Sequence, residues 1–250
     1  MDERLLPERR FEAAAGYFVR ARPPYPPELI DSVVGRSGIS PGAPVLDVAA
    51  GAGALTGLLV AAGLAVTAVE PNAEMASRLR SRLPNVPVRV ERAEELTAPA
   101  GSTELITIAN GLHWVEPAAA YPEFVRVLAP GGHVAVIWQL PDLADERQAH
   151  LWETLRRIHG FVPPYRGPAP GEPAGWGEPL RTVDRWEMPN RHVIPRRLLG
   201  DYIASWSGIA NLPPAERGEL VAEIGARWAG EEIELPFVIA VELGRRDRSD

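Results

Sequence analysis

The sequence predicts an α/β protein: a doubly wound, mostly parallel sheet of seven strands, with a mainly helical cap inserted before the last strand. Three observations predict it. From residue 43 to residue 140, short apolar runs alternate with amphipathic stretches. Those runs are apolar throughout, as strands covered on both faces are. Beyond 140 the alternation fails, and a Pro- and Gly-rich stretch, 161–179, leads into further helical patterns and one closing apolar run.

The elements follow in order. Phe11, Ala14, Ala15 and Phe18 have helical spacing, and the Pro pairs at 23–24 and 26–27 end that helix in an extended arm. Val45–Val48 is the first strand. Leu55, Leu58, Leu59 and Ala62 then mark one face of a helix. Leu64–Val69 is the second strand, and Asn72 caps a helix carrying Met75, Leu79 and Leu83. Val86–Val90, Leu105–Ala109 and Val134–Trp138 are the next three strands. Phe124, Val127 and Leu128 mark a helix between the last two, with Pro122 starting its regular part and 117–121 a separate turn. Leu151, Trp152, Leu155 and Ile158 define a helix closed by His159-Gly160. Thr182–Met188 reads as a strand, Leu198–Trp206 and Pro214–Trp228 as helices, and Ile233–Leu243 as the final strand. The expected organisation is an N-terminal helix and lid arm (1–35), a core (36–140), a substrate-selecting cap (141–230), and the last strand with a tail (231–250).

Composition removes several chemistries. Of 250 residues, none is Cys, which excludes disulfides, thiolate nucleophiles and Cys-based metal sites. None of the 26 basic residues is Lys, which excludes Schiff bases, the Walker A lysine and a Tyr/Lys proton-transfer pair. A net charge of −7 without a basic block argues against nucleic acid as a partner. The five His residues show no metal-ligand spacing, so no metal is expected. The charged stretch Met1–Arg10 lacks the apolar core of a targeting segment, and no apolar run reaches the roughly 18 residues of a membrane span. The expectation is a soluble cytoplasmic protein acting on a small molecule; the sequence does not speak to its oligomeric state.

The chemistry concentrates at two strand ends. Val45-Leu-Asp-Val runs into Ala49-Ala-Gly-Ala-Gly-Ala54, a bend of small residues that opens a helix. Small residues let a ligand approach the backbone, and a helix N-terminus offers N–H groups. Glu70 ends the second strand, 19 positions after Gly51. In a doubly wound sheet such an acid lies beside the bend and can accept both hydroxyls of a ribose. Together they point to an adenosine-containing ligand.

Four blocks in this order resemble the class I S-adenosylmethionine-dependent methyltransferases, in particular the branch of trans-aconitate methyltransferase and other small-molecule methyltransferases. They are Tyr17–Pro26, the segment 45–56, Val69–Met75, and Asn110-Gly-Leu-His-Trp114 followed by Arg126–Gly132. A nicotinamide oxidoreductase shares the bend and the acid, but Thr56 stands where its third glycine belongs.

The resemblance implies S-adenosylmethionine as cofactor and a Rossmann-like methyltransferase fold. It places Gly51, Gly53 and the backbone around Ala49 against the methionine part and Glu70 on the ribose. Pro71 and Met75 pack on the adenine, with Ala93 and Glu94 at its edge. Arg92 stands where many relatives carry an Asp, and Glu94 is the candidate replacement. Ala49 stands where the family often has Gly, and is tolerated if its φ is negative. Tyr17 and Arg22 match the lid, with Arg22 able to pair with the cofactor carboxylate. Asn110 ends the fourth strand beside the expected methyl, and His113 is the candidate general base. Trp114 and Trp138 line a pocket or pack. Three functions remain open: methyl transfer to a small organic molecule, methylation of a carboxylate metabolite greeted by Arg22, Arg166, Arg196 or Arg197, and a cofactor-binding cyclase, isomerase or regulatory binder.

Overall fold

A computed structural model describes residues 16–17, 21–159, 167–168 and 170–248. The seven strands lie in one sheet in the order β3-β2-β1-β4-β5-β7-β6. Pairs β1–β2, β1–β4, β2–β3 and β4–β5 are parallel. Chain order reverses direction between β1 and β4, which is the switch point of a doubly wound sheet.

The elements that position the site come first. Helix α1 (Pro27–Ser37) has Pro at its first turn and ends at Gly38 in the left-handed region. β1 (Pro44–Val48) leads into α2 (Ala54–Ala61), and β2 (Ala65–Val69) into α3 (Ala73–Arg82). Asn72 caps α3 as expected, its side chain accepting from Met75 N at 3.0 Å. β3 is only Val88–Arg89, shorter than the expected 86–90, and Val90 beyond it is half exposed. β4 (Thr103–Ala109) runs through a 3-10 turn, Leu112–Trp114, into α4 (Pro117–Val127).

Two local expectations fail in α4 and β5. Residues 117–121 are not a separate turn: Pro117 opens one helix, and Pro122 stands inside it. Pro122 is exposed while Ala120, Phe124 and Val127 are fully buried. Burial of that face holds the helix across the lost backbone donor. Leu128 does not close the helix but opens β5 (Leu128–Pro141), which is much longer than 134–138. A register break between Thr103 and Leu105 accommodates the added length.

Later come α5 (Glu146–His159), β6 (Leu180–Pro195), α6 (Leu199–Ala204), α7 (Ser207–Ala210), α8 (Pro214–Gly225) and β7 (Glu232–Arg246). The expected helix 198–206 is thus broken into a 3-10 turn, Arg196–Leu198, and two short helices. β6 extends well past Met188 and takes in His192, and His133 lies within β5 opposite Leu105.

The chain divides into two compact units. One comprises the described parts of Met1–Pro24, Pro141–Pro164 and Pro189–Val238; the other Tyr25–Leu140, Tyr165–Met188 and the described part of Ile239–Asp250. The described residues of 165–188 therefore belong with the sheet-bearing unit, not with the rest of the inserted segment. Ala174 N donates to the buried Glu242 of β7 at 2.9 Å, and Tyr121 of α4 donates to Ala174 O. The sheet-bearing unit has one apolar cluster on each face. One is built on Ile106, Ile108, Phe124, Val134 and Val136, the other on Leu29, Val45, Leu59, Leu105 and Ile137. The other unit has its own core around Leu151, Tyr202, Ile224, Trp228 and Phe237. Of the expected N-terminal helix, Gly16 and Tyr17 are helical; Phe11, Ala14, Ala15 and Phe18 lie outside the described residues.

Candidate active site at the strand tips

Register brings the strand tips level. Val48 pairs with Val69 and with Ile108, Ile108 with Val136, and Ala109 with Ile137. The segments that follow β1, β2 and β4 therefore leave the sheet side by side at its carboxyl edge, where open α/β sheets bind ligands.

The bend after β1 is tightly wound. Ala49, Gly51 and Gly53 have φ of 56°, 57° and 81°. The condition under which alanine is tolerated at position 49, a negative φ, is not met. Ala49 occupies the left-handed region, at a cost of about 1–2 kcal/mol for a residue with a Cβ. Its Cβ is also a steric wall: a Cβ on Gly111 would lie 2.6 Å from it. Gly51 is open, since a Cβ there would meet only Met75 Cε at 3.7 Å. Gly53 is glycine for packing as well as conformation, because a Cβ would come within 2.9 Å of Leu79 Cγ.

Glu70 turns toward this bend. Its Oε2 accepts from Gly51 N at 2.8 Å, and its Oε1 accepts from Asn72 N at 2.9 Å. The carboxylate is 7% exposed. Burial raises its pKa, while the two N–H donors pull it down. Beneath it lies a second buried acid. Asp47 accepts from Thr56 Oγ1 at 2.6 Å and from Thr107 Oγ1 at 2.8 Å, tying β1 to α2 and to β4. Burial pushes Asp47 up to about 6 against the pull of both hydroxyls. Thr56 lies in the segment 45–56, but Thr107 is 60 positions from Asp47 and no local pattern announces that bond.

The other predicted residues sort as follows. Met75 is buried against Gly51, and Pro71 is exposed beside it. Ala93 is buried. The Glu94 carboxylate is engaged elsewhere: Oε1 accepts from Glu116 N at 2.9 Å, at the start of α4, and Oε2 lies 3.5 Å from Arg92 Nε. Asn110 is the second strained residue, with φ of 51°. Its Oδ1 accepts from Gln139 N at 2.9 Å, and its Nδ2 donates to Tyr25 Oη at 2.8 Å. Tyr25 was inside the first sequence block, yet nothing in its spacing revealed this contact. Two non-glycine residues in the left-handed region, on neighbouring strand tips, fit the clustering of strain at functional sites.

His113 sits in the 3-10 turn after β4. Its ring is 4.5 Å from Trp114 and 5.4 Å from Trp138, centroid to centroid. Burial pulls its pKa down to about 3. A general base works best with a pKa near the working pH, and burial moves His113 away from it. The ring is a neutral aromatic face instead.

Tyr17 and Arg22 belong to the other unit. There Arg22 stacks 3.8 Å from the Trp206 ring centroid and donates to Ser205 Oγ at 2.9 Å, and Tyr17 faces the Arg217 guanidinium at 5.9 Å. Arg196 donates to Trp228 O at 2.7 Å and Arg197 is exposed; Arg166 lies outside the described residues. Among the described residues no cluster of potential metal ligands is found, and no helix is long and apolar enough to cross a membrane.

A parallel sheet with this strand order, a small-residue bend and an inward-facing acid on the next strand define a nucleoside-binding enzyme of the class I methyltransferase type. A methyltransferase domain model matches residues 46–136. The chain is similar to the uncharacterized methyltransferase Rv3342 of Mycobacterium tuberculosis, at 36% identity over 207 residues, covering 83% of this chain and 80% of that protein. It is also similar to the methyltransferase-like protein C25B8.10 of Schizosaccharomyces pombe, at 29% identity over 224 residues, 86% of this chain and 84% of that one. Among solved structures, a type II methyltransferase assignment from Anaeromyxobacter dehalogenans shares the fold with a TM-score of 0.68 and 23% identity, over 91% of this chain and 97% of that one. The chain belongs to the class I S-adenosylmethionine-dependent methyltransferases.

The strand tips fit that cofactor. Each Glu70 oxygen uses one lone pair on a backbone N–H and keeps another, so the pair can accept two ribose hydroxyls. The bend carries nothing larger than a methyl group from Ala49 to Ala54, and Gly51 has room above it.

Proposed function

We propose that this protein transfers a methyl group from S-adenosylmethionine to a small organic molecule, at the edge formed by the tips of β1, β2, β4 and β5. The observation that carries the reading is the bond from Gly51 N to Glu70 Oε2, which aims the carboxylate at the bend. In this reading Glu70 holds the ribose, and the backbone of Ala49, Gly51 and Gly53 lies along the methionine part. Met75 and Pro71 pack on the adenine with Ala93 at its edge, and Asn110 shapes the place where the methyl is presented. Glu94, held by Glu116 N and Arg92, is not given the adenine amine.

The bound cofactor supplies a sulfonium whose methyl is already activated. The chain therefore supplies alignment, since holding an acceptor in line removes much of the entropic barrier. Asn110 fixes the end of β4 to β5 through Gln139 N and to the N-terminal arm through Tyr25, so the surface that receives the acceptor is stiff. His113, Trp114 and Trp138 form the wall of that surface. With its basicity suppressed, His113 aligns the acceptor, and the acceptor's proton leaves to solvent.

The test has two parts. Calorimetry with S-adenosylhomocysteine reads cofactor binding, and incubation with labelled S-adenosylmethionine and an acceptor panel reads transfer. Binding plus labelled product supports the reading. Binding without S-adenosylhomocysteine formation across the panel supports a cyclase, isomerase or regulatory binder instead.

A further inference from the structure

Beyond naming a small molecule, the β4–β5 edge carries information on what kind. Three aromatic rings meet there. His113 is tilted 49° to Trp114 and 34° to Trp138, at centroid separations within the range where rings attract one another. His113 and Trp114 are half-buried, so each keeps ring surface to offer. Trp138 follows Ile137, which pairs with Ala109 at the end of β4, so its indole rises at the strand tip beside the turn.

The surroundings are apolar. Ala93, Leu96, Leu112, Val115 and Ala174 share the cluster that contains Trp138. Among the described residues, Arg92 and Arg126 are already paired. Arg92 faces Glu94, and Arg126 donates to Glu123, Leu96 O and Ala98 O. Burial lowers the pKa of His113 to about 3, so near neutral pH it adds no cation. A carboxylate-rich acceptor would lose its water here without gaining a counter-charge from Arg92, Arg126 or His113.

The wall holds a buried indole donor. Trp138 is 3% exposed, and its Nε1–H finds no acceptor among the described residues. A buried donor in that position is costly until an acceptor atom reaches it.

We propose that the acceptor is a neutral, flat aromatic molecule whose ring stacks on His113 and Trp114 and whose ring-borne oxygen, such as a hydroxyl, accepts from Trp138 Nε1. This rests on the methyltransferase reading above. It sets aside the carboxylate metabolites that the sequence resemblance suggested as one branch.

The experiment uses the full chain saturated with S-adenosylhomocysteine, whose own binding is measured first by calorimetry. 2-Naphthol and trans-aconitate are then titrated as probes. The proposal expects 2-naphthol to bind at least 10-fold more tightly than trans-aconitate. It expects Trp114→Ala to weaken 2-naphthol about 10-fold and Trp138→Phe, which keeps a ring but loses the N–H, about 3-fold. Cofactor affinity in both variants should change less than 2-fold, which also reports that they fold. Failure of the wild-type chain to bind S-adenosylhomocysteine overturns the underlying reading. Cofactor binding with equal or tighter trans-aconitate binding, no 2-naphthol binding, or unchanged 2-naphthol affinity in Trp114→Ala overturns this inference alone.

Discussion

The tips of β1 and β2 and the tips of β4 and β5 lie on one sheet edge but are built from opposite chemistry. The first pair presents a bend of alanine and glycine and a buried carboxylate held by two backbone N–H groups. The second presents three neutral rings with a single unmet indole N–H. Two reactants of unlike polarity can thus be held side by side without competing for each other's place. Strain marks the boundary between the two halves, at Ala49 on β1 and Asn110 on β4.

The comparison breaks most visibly at Glu70. Glu70→Ala removes the ribose acceptor and strands the N–H groups of Gly51 and Asn72. Hydrogen bonds to a charged group are worth about 1.5–3 kcal/mol each, so calorimetry should show at least a roughly 100-fold loss of cofactor affinity. Binding of an aromatic acceptor probe should fall less.

Gly53→Ala should be next. It forces a Cβ against Leu79 at a φ of 81°, and denaturant unfolding should read a loss of about 1–3 kcal/mol. The aromatic wall should be unaffected.

The two halves should also respond to pH with opposite sign. Asp47 is raised from 3.8 to about 6, so the folded state binds its proton more readily. Its contribution to stability is full below the unfolded value and is lost as pH rises through about 6. His113 is lowered from 6.5 to about 3, so the unfolded state takes its proton first. Stability from that residue is full above about 6.5 and is lost as pH falls toward 3. Asp47→Asn should therefore leave a stability curve that falls steadily with acid below pH 6.5, steeper than wild type between pH 6 and 4. Urea midpoints across that range check the slope. The smallest effect belongs to Ala49→Gly, which relieves the positive φ and should gain about 0.5–1 kcal/mol with cofactor affinity nearly unchanged.

The polar half was largely legible in the sequence, because its parts are local. Gly51 and Glu70 are separated by one helix and one strand, and a parallel pair must bring them together. What the sequence hid was conformation imposed from outside. Alanine prefers negative φ, so nothing at position 49 announces 56°; the wall it makes against Gly111 appears only when β1 and β4 are side by side. The aromatic half was legible as a list of residues but not as a setting. His113 reads as a base in any sequence, and only its burial beside Trp114 and Trp138 lowers its basicity. Arg22 shows the same limit: a guanidinium suited to a carboxylate is also suited to an indole face, and its partners Trp206 and Ser205 are 184 and 183 positions away.

The central claim is that Glu70 grips the ribose of a nucleoside seated on the bend. A thermodynamic cycle tests it directly, comparing S-adenosylhomocysteine with its 2′-deoxy analogue on the wild-type chain and on Glu70→Ala. The account predicts that deleting the hydroxyl weakens binding at least 10-fold in the wild type and less than 2-fold in the variant. An equal loss in both proteins would contradict it.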